Sequence, residues 1–393
     1  MSILISPNLT AVHPPPIGEV AGWRQLAPPE LPVIDLCQAV PNYPPAPGMI
    51  AHLQQLLFDP QMSRYSPDEG LPEVRAAVCA RYGRRYGAQL QPEQLCLTIG
   101  ASQAFWLAIL ATCRAGDEVI LQSPCYFDHP MALTALGIRP VFAPYDGSSP
   151  GLPNPAAIAA CITERTRALL LVTPSNPTGT VTPPALIDAL FELAVRHNLA
   201  LIIDETYADF LSQDLPPHRL FSRPGWDDHF IHVMSFGKTY ALTGYRAGLL
   251  AGSASLISQV LKIQDTMVVC QPRITQQALL YGVNELDDWV AANCAMIGQR
   301  HKAFREAFQV DGNPFALVAS GSFFAWVRHP FPHLDGRGVA RLLAQEAGIL
   351  SLPGEVFGPG LERYVRLALG NLADEQIPEV VTRLQGLSRL VAA

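Results

Sequence analysis

Short apolar segments alternate with segments of helical periodicity along most of this chain, and this alternation leaves few possible folds. Seven apolar runs of four or five residues lie at 95–99, 118–122, 140–143, 168–172, 200–203, 230–234 and 247–251. Short apolar strands that alternate with helices are typical of a mainly parallel sheet covered by helices on both faces. The sequence therefore predicts an α/β fold with a mainly parallel, seven-stranded sheet.

The chain is long enough for two domains. It has 393 residues, of which 49% are hydrophobic and 16% charged, as is typical of globular proteins. Residues 1–46 are rich in proline, which cannot donate a backbone hydrogen bond, so we expect an extended N-terminal arm that forms part of a smaller domain. Residues 47–275 are predicted to form the large sheet domain, and residues 276–393 a small α+β domain with fewer strands.

Charge and cysteine usage exclude several classes of partner and location. The net charge is −7, so no basic surplus exists to neutralise nucleic acid or an anionic membrane surface. The first residues reach proline before any long apolar run, and we expect neither a signal peptide nor a membrane span. The eight cysteines are scattered without a Cys-x-x-Cys pair, which favours free thiols in a cytoplasmic protein.

Ligands of open α/β sheets bind beyond the carboxyl ends of the strands, so the residues that follow each predicted strand are informative. The run at 95–99 is followed by Gly100, Ala101, Ser102 and Gln103, where a helix begins. Free backbone N–H groups and the helix dipole could bind an anion such as phosphate there, and Ser102 adds a hydroxyl. A plain N-cap is the alternative, since serine before an apolar helix is common.

Asn176 and Asp204 also follow apolar runs. Asn176 either directs its amide into the cleft or belongs to an ordinary turn of the proline-rich segment 173–179. Asp204 could bind a metal, cap a helix or pair with a cationic ligand. A metal site is not expected, because only Glu205 and Asp209 lie near it in sequence and no histidine stands beside them.

Lys238 comes shortly after the apolar run at 230–234. Lysine is rarely placed against a core. A desolvated lysine loses its proton more easily and can act as a nucleophile or form a Schiff base. The alternative is a lysine whose side chain leads back to solvent.

Together these motifs occur in one order, in the segments 65–70, 100–103, 124–126, 176–179, 204–207, 235–238, 244–246 and 364–367. The pattern resembles the class I/II pyridoxal-phosphate aminotransferases of fold type I, which include aspartate aminotransferase. The resemblance extends from about residue 34 to the last helix. It implies pyridoxal 5′-phosphate as cofactor, an amino acid and a 2-oxo acid as substrates, and a homodimer with shared active sites.

The resemblance also implies how the cofactor ring is held. Lys238 would carry the cofactor as an internal aldimine and, once freed, move a proton between Cα and C4′. Asp204 would pair with the pyridine nitrogen, so that the ring can accept electrons. Asn176 and Tyr207 would hydrogen-bond the 3-hydroxyl oxygen. Tyr126 would stack on the ring, with a core aromatic as the alternative.

The cofactor phosphate would be held by a larger set of residues, among which Arg246 can meet phosphate oxygens at two points. Gly237 stands where the family usually has a small hydroxyl residue, so one phosphate contact is expected to be missing or replaced by water. Tyr65 would reach the phosphate of the partner subunit, unless it is a loop aromatic that packs on its own helix. The implied set is Ala101, Ser102, Gln103, Ser235, Arg246 and the second subunit's Tyr65.

Two further positions concern the substrate. Arg366 would bind the α-carboxylate at two points, close to Asn176, and its apolar neighbours favour a buried arginine over a surface one. The segment 34–41 resembles the substrate lid of the family. Ala39 stands there in place of a frequent glycine, and its methyl group is expected to narrow the pocket near the substrate carboxylate.

The sequence therefore predicts an aminotransferase that moves an amino group from an L-amino acid to a 2-oxo acid. Elimination, replacement, cyclisation or oxidation on the same cofactor would need the same lysine, aspartate and arginine, and stays an alternative. A regulator built on this fold is disfavoured, because no helix-turn-helix pattern or basic cluster is present. Arg24 and Arg273 are the only candidates to bind a second carboxylate, so a neutral or aromatic substrate is favoured.

Overall fold

The computed structural model describes residues 3–211 and 216–391. Its helices are α1 (Pro7–Thr10), α2 (Pro16–Gly22), α3 (Pro47–Leu56), α4 (Pro72–Tyr86), α5 (Gly100–Thr112), α6 (Asp128–Ala135), α7 (Pro155–Ala159), α8 (Pro184–His197), α9 (Ala254–Val268), α10 (Arg273–Glu285), α11 (Asp287–Phe308), α12 (Gly336–Ala347) and α13 (Ile377–Gly386). Its strands are β1 (Ile34–Asp35), β2 (Leu95–Ile99), β3 (Glu118–Leu121), β4 (Arg139–Phe142), β5 (Thr166–Val172), β6 (Ala200–Asp204), β7 (Phe230–Ser235), β8 (Ala247–Ala251), β9 (Ala316–Gly321), β10 (Phe324–Arg328), β11 (Ile349–Leu350), β12 (Leu352–Pro353) and β13 (Tyr364–Ala368). None of these helices is both long enough and apolar enough to span a bilayer.

The seven-stranded sheet has the strand order β2-β8-β7-β6-β5-β3-β4. Strands β3 to β7 pair in parallel, whereas β8 runs antiparallel to both of its neighbours, β2 and β7. This architecture confirms the predicted, mainly parallel sheet. Its central strands are apolar on both faces because helices cover both sides, so Leu201, Ile202 and Ile203 of β6 are all fully buried.

Successive residues of β6 enter different cores. Leu201 and Ile203 belong to the core on the side of α4, α8 and α10. Ile202 belongs to the core on the side of α5 and α9. Because side chains alternate across a strand, Asp204 follows Ile202 onto the side of α5 and α6, and Glu205 continues toward the other side. This alternation decides which carboxylate reaches the site described below.

Helix ends follow the local sequence. Pro184 occupies the first turn of α8, where its missing N–H costs no hydrogen bond, and Asn198 ends that helix in the left-handed conformation. Asp335 caps α12 by accepting the N–H of Gly338, and Gly348 ends it at φ 60°.

A second sheet of four antiparallel strands has the order β12-β13-β10-β9 and packs with α11, α12 and α13 around its own core. The N-terminal arm joins this part of the molecule, because β1 pairs in parallel with β11 and Ile34 enters the same core. The arm is not extended throughout. Pro7 and Pro16 begin the short helices α1 and α2, since proline is tolerated in a first helical turn.

Helix α11 passes from one core to the other. Val290 near its start packs in the core of the large sheet, and Phe304 near its end packs in the core of the small sheet. The boundary expected at residue 275 falls within α10, whose Ala278 and Leu279 belong to the large-sheet core.

Candidate active site

A cavity of about 710 Å³ opens at the carboxyl ends of β5, β6 and β7. Parallel strands end at the same edge of a sheet, so residues far apart in sequence meet there. Residues from the arm, the start of α5 and β13 complete its walls. Eleven of the thirteen predicted site residues line it: Ala39, Ala101, Ser102, Tyr126, Asn176, Asp204, Tyr207, Ser235, Lys238, Arg246 and Arg366.

Asp204, the last residue of β6, is buried and held at both carboxylate oxygens. Oδ1 accepts hydrogen bonds from the backbone N–H of Thr206 at 3.0 Å and from its hydroxyl at 2.7 Å. Oδ2 lies 3.3 Å from Nε2 of His129. The backbone contact is the turn-capping geometry common for aspartate, while Oδ2 is left with a single neighbour in the cavity wall.

His129 is a functional candidate that the sequence reasoning missed. It lies in the first turn of α6, is only 3% exposed, and packs against the ring of Phe105 with centroids 4.3 Å apart. Its Nε2 faces Asp204, and its Nδ1 has no partner. Nothing in the sequence links this histidine with an aspartate 75 positions later. The only feature of the sequence that could have indicated a role for His129 is its position three residues after Tyr126, a predicted site residue.

Lys238 follows β7 and turns into the cavity, where its Nζ donates to the backbone carbonyl of Ala39. Burial, followed by the positive charges of Arg246 and Arg366, lowers the pKa of Lys238 from 10.5 to about 8. Near neutral pH this amine is therefore deprotonated far more often than an ordinary lysine, which makes it a competent nucleophile. The geometry is that of an amine directed into a cleft and not of a side chain leading to solvent.

The start of α5 and Arg246 form an anion cradle built on glycine. Gly100 has φ +74°, and a Cβ at this position would collide with the Arg246 guanidinium. A Cβ on Gly248 would lie 2.6 Å from Cα of Gly100, so the two backbones approach more closely than side chains would allow. The N-terminus of α5 has no side-chain cap. Its free N–H groups and the adjacent guanidinium fit a dianionic phosphate.

Gln103 and Ser235 contribute to this region in different ways. The Gln103 side chain accepts the N–H of Ile99 at 2.6 Å and does not line the cavity, so only its backbone remains available there. The Ser235 hydroxyl lines the cavity and accepts the N–H of Gly237 at 3.2 Å. A Cβ on Gly237 would lie 3.3 Å from Oγ of Ser235, a tight but not prohibitive distance.

Arg366, on β13, is a buried cation with N–H donors that no protein group satisfies. Its Nη1 donates to Oδ1 of Asn176 at 3.1 Å, its Nη2 donates to the carbonyl of Cys37, and its Nε has no partner. The guanidinium lies over the rings of Phe324 and Phe357, 5.1 and 5.4 Å from their centroids. Neutral partners alone do not compensate a buried charge, so the arrangement fits the binding of an anion such as a carboxylate.

Two tyrosines line the same cavity. The hydroxyl of Tyr126 donates to Asp128 at 2.5 Å. Tyr207 packs edge-on against Phe324, with ring centroids 4.9 Å apart. Burial raises the pKa of both phenols, so both remain protonated and can donate hydrogen bonds.

Tyr65 lies outside the cavity of its own chain. Its side chain is 77% exposed, while its backbone carbonyl accepts two hydrogen bonds from Arg273, at 3.2 and 2.8 Å. The backbone is thus fixed while the ring points outward. Neither Arg273 nor Arg24, which pairs with Asp35 at 2.9 Å, lines the cavity.

A buried cluster of Glu205, His218 and His232 lies behind the large sheet, with its potential ligand atoms within 4.8 Å of one another. Oε2 of Glu205 is 3.1 Å from His218 Nε2 and 2.8 Å from His232 Nε2. Leu220 N–H donates to Nδ1 of His218, so the proton of a neutral His218 sits on Nε2 and points at Glu205. Hydrogen bonds therefore account for the short distances between Glu205 and the two histidines without a metal ion. The sequence reasoning missed this cluster, since it looked for histidines beside Glu205 along the chain.

A half-buried lysine and a buried aspartate in one cavity, with a glycine–arginine phosphate cradle beside them, define a fold type I pyridoxal-phosphate enzyme. The chain belongs to the aminotransferase class I and II family, whose model matches residues 32–384. It is a pyridoxal-phosphate-dependent aminotransferase, and the predicted family, fold class, cofactor and reaction are confirmed. The roles of individual site residues stay predictions.

Similar proteins include two aminotransferases of different specificity. Aromatic aminotransferase ISS1 from Arabidopsis thaliana is 29% identical over 366 residues, which cover 91% of this chain and 90% of that protein. An aspartate aminotransferase from Streptomyces avermitilis is 30% identical over 368 residues, covering 91% and 89%. The solved structure of Thermus thermophilus aspartate aminotransferase with maleate has a TM-score of 0.88 at 26% identity and covers 98% of this chain and 100% of its own.

Proposed function

We propose that Lys238 attaches pyridoxal 5′-phosphate as a Schiff base and that amino transfer takes place in the cavity around it. The observation that carries this proposal is that the half-buried Lys238 directs its Nζ into the cavity, where it donates to the Ala39 carbonyl and has a pKa lowered to about 8. When bound, the cofactor supplies a conjugated ring that accepts the electrons of the Cα–H bond. With the cofactor bound, Nζ of Lys238 would be the group that takes up and carries the Cα proton of the substrate.

Asp204 supplies the negative charge that the ring nitrogen pairs with, and His129 and Thr206 hold that carboxylate in place. Asn176 and Tyr207 donate to the ring's hydroxyl oxygen, which their positions in the cavity wall allow. Tyr126 covers one face of the ring, and its bond to Asp128 restricts its rotation. These side chains orient the ring with respect to Lys238.

The phosphate is held by the N–H groups of Ala101, Ser102 and Gln103, by the hydroxyls of Ser102 and Ser235, and by the Arg246 guanidinium. Arg366 binds the substrate α-carboxylate at two points with N–H groups that have no protein partner, while Asn176 keeps the guanidinium oriented. The methyl group of Ala39, which lines the cavity, narrows the pocket near the substrate carboxylate. With the carboxylate fixed by Arg366, the substrate would have less freedom to turn, which would help to direct its Cα–H bond toward Lys238.

The amino donor is proposed to have an uncharged, apolar or aromatic side chain. Within residues 3–211 and 216–391, Arg246 and Arg366 are the only arginines that line the cavity, and both already have an anion to bind. The residues that line the cavity include the apolar side chains of Leu9, Val12, Ile17, Trp106 and Met131. A panel of amino acids tests this proposal: an aromatic or large aliphatic donor should have the highest kcat/KM, and a preference for aspartate would contradict it.

The active unit is proposed to be a cytoplasmic homodimer whose residues divide into the arm (1–46), a large domain (47–275) and a small domain (276–393). Support for the dimer comes from Tyr65, whose ring is exposed while Arg273 fixes its backbone, as expected of a residue that reaches a partner's phosphate. All eight cysteines are free, which suits a reducing compartment.

Borohydride reduction followed by peptide mapping tests the attachment site. The reduced cofactor should be found on Lys238, and Lys238→Ala should fold but lose turnover. Lys262→Ala, at an exposed helix position, is the matched control and should keep full activity. Adduct on Lys262 or Lys302 instead of Lys238 would overturn the assignment.

Mixing two inactive variants tests the shared site. In a homodimer of Lys238→Ala or of Tyr65→Ala, both active sites lack one of the two residues. A mixed dimer of the two variants contains one active site with both residues intact. Refolding an equal mixture should restore about a quarter of wild-type activity, since half the dimers are mixed and each has one working site. Full activity of Tyr65→Ala alone, or of a strictly monomeric wild-type fraction, would rule out this role for Tyr65.

A further inference from the structure

Thr206 contacts the carboxylate of Asp204 through two separate donors. Its backbone N–H reaches Oδ1 at 3.0 Å and its hydroxyl reaches the same oxygen at 2.7 Å. Threonine has a single hydroxyl proton, so this bond commits it fully to Asp204. The side chain lines the cavity and is half-buried, where such a bond is only partly screened by solvent.

The other side of the carboxylate has different neighbours. Oδ2 lies 3.3 Å from Nε2 of His129 on α6. Tyr126 and Tyr207 from the adjoining loops also interact electrostatically with Asp204, as does His232 on β7. Thr206 is the only one of these residues with two donors on one oxygen. Because both donors bind Oδ1, Oδ2 is the oxygen that can face a ligand.

We propose that Thr206 is a positioning residue, whose hydroxyl holds the Asp204 carboxylate turned so that Oδ2 faces the cavity and the ring nitrogen of the cofactor. This inference rests on the proposed role of Asp204. Thr206 itself touches neither the substrate nor the reacting atoms. Its hydroxyl acts by removing the freedom of the carboxylate to rotate.

The physical basis is the strength of a hydrogen bond to a charged acceptor. A hydrogen bond to a carboxylate is stronger than one between neutral groups, so removing this donor frees Asp204 to turn away from the ring nitrogen. The backbone N–H of Thr206 would remain in any variant. The hydroxyl contribution can therefore be isolated by replacing threonine with valine, which has nearly the same shape and no donor.

The test compares Thr206→Val, Thr206→Ser and the matched control Thr382→Val, whose hydroxyl bonds only to the carbonyl of Pro378 at an exposed position of α13. Binding of pyridoxal 5′-phosphate to each apo-protein is measured, and kcat and KM are measured on the reconstituted enzymes. For Thr206→Val we expect cofactor affinity about 10-fold weaker. We expect kcat to fall about 10-fold with KM little changed.

Thr206→Ser keeps the donor and should restore cofactor affinity and kcat to within about twofold of wild type. Thr382→Val should match wild type throughout. If Thr206→Val folds poorly, Thr206→Ala provides the same comparison with a smaller side chain. The inference is overturned if Thr206→Val behaves like Thr382→Val, or if the serine variant is as impaired as the valine variant.

Asp204→Asn separates this inference from the proposed function. If Asp204→Asn loses cofactor affinity and turnover while Thr206→Val does not, only the role of Thr206 fails. If Asp204→Asn keeps both, the role of Asp204 itself is wrong and Thr206 has nothing to position.

Discussion

Nη1 of Arg366 donates a hydrogen bond of 3.1 Å to Oδ1 of Asn176, although 190 residues separate the two in the chain. Arg366 lies on β13 of the four-stranded sheet, and Asn176 lies in the loop after β5 of the seven-stranded sheet. The carbonyl of Cys37, from the N-terminal arm, accepts from the same guanidinium. The proposed anchor for the substrate carboxylate is thus built from three segments, and its geometry depends on how the two sheets and the arm pack.

Replacing Arg366 with lysine should weaken substrate binding far more than it disturbs folding. Lysine keeps the charge but cannot contact Asn176, the Cys37 carbonyl and a carboxylate together, because it lacks the planar guanidinium. We expect kcat/KM for the amino donor to fall about 100-fold, mostly through KM. Steady-state kinetics provide the measurement, with Arg328→Lys, at an exposed strand end, as control. Equal kcat/KM in both variants would contradict the anchor role.

Gly100→Ala should disrupt the phosphate cradle. The added Cβ would collide with the Arg246 guanidinium, and φ +74° is strained for alanine, so we expect stability to fall by about 1–2 kcal/mol and cofactor affinity more than 10-fold. Gly298→Ala in α11 is the matched control. A Cβ there meets nothing within 4 Å, so alanine should stabilise the helix by up to about 1 kcal/mol. Thermal unfolding and cofactor titration measure both effects, and normal affinity in Gly100→Ala would count against the cradle.

The lowered pKa of Lys238 predicts an unusual pH profile for the apo-protein. Only the neutral amine attacks a carbonyl, so reaction of Lys238 with a small aldehyde, trapped by cyanoborohydride, should rise as pH passes about 8. Mass spectrometry resolves Lys238 from the exposed Lys262 and Lys302, which serve as internal controls. A labelling midpoint above 10 for Lys238 would show that burial and the neighbouring arginines do not act on it.

His129→Asn should impair catalysis by releasing Oδ2 of Asp204 from its neighbour at 3.3 Å. We expect kcat to fall about 10-fold, because the carboxylate that faces the ring nitrogen loses one of its supporting contacts. His197→Asn, at the exposed end of α8, is the matched control and should leave kcat unchanged. A variant with wild-type kcat and cofactor affinity would mean that the contact between His129 and Asp204 has no functional consequence.

The pattern along the chain was sufficient to predict much of the fold and the family. Apolar runs of the right length predicted all seven strands of the large sheet, because a strand buried on both faces needs uninterrupted apolar residues. The order of the short motifs around Lys238, Asp204 and Arg366 indicated the cofactor and the reaction. Each motif is local, so its residues keep their spacing whatever the rest of the chain does.

The tertiary structure alone decided which side chains meet. It brought His129 to Asp204, turned the Gln103 side chain away from the cavity, and gathered His218 and His232 around Glu205. Contacts of this kind depend on how helices and strands pack across layers, where a shift of one residue or one helical turn changes every partner. The sequence determines the elements and the chemistry that each carries to the strand ends. The pairing of hydrogen-bond donors with acceptors is decided only when the layers pack. A buried polar group can bond only to the groups that packing brings within hydrogen-bond distance.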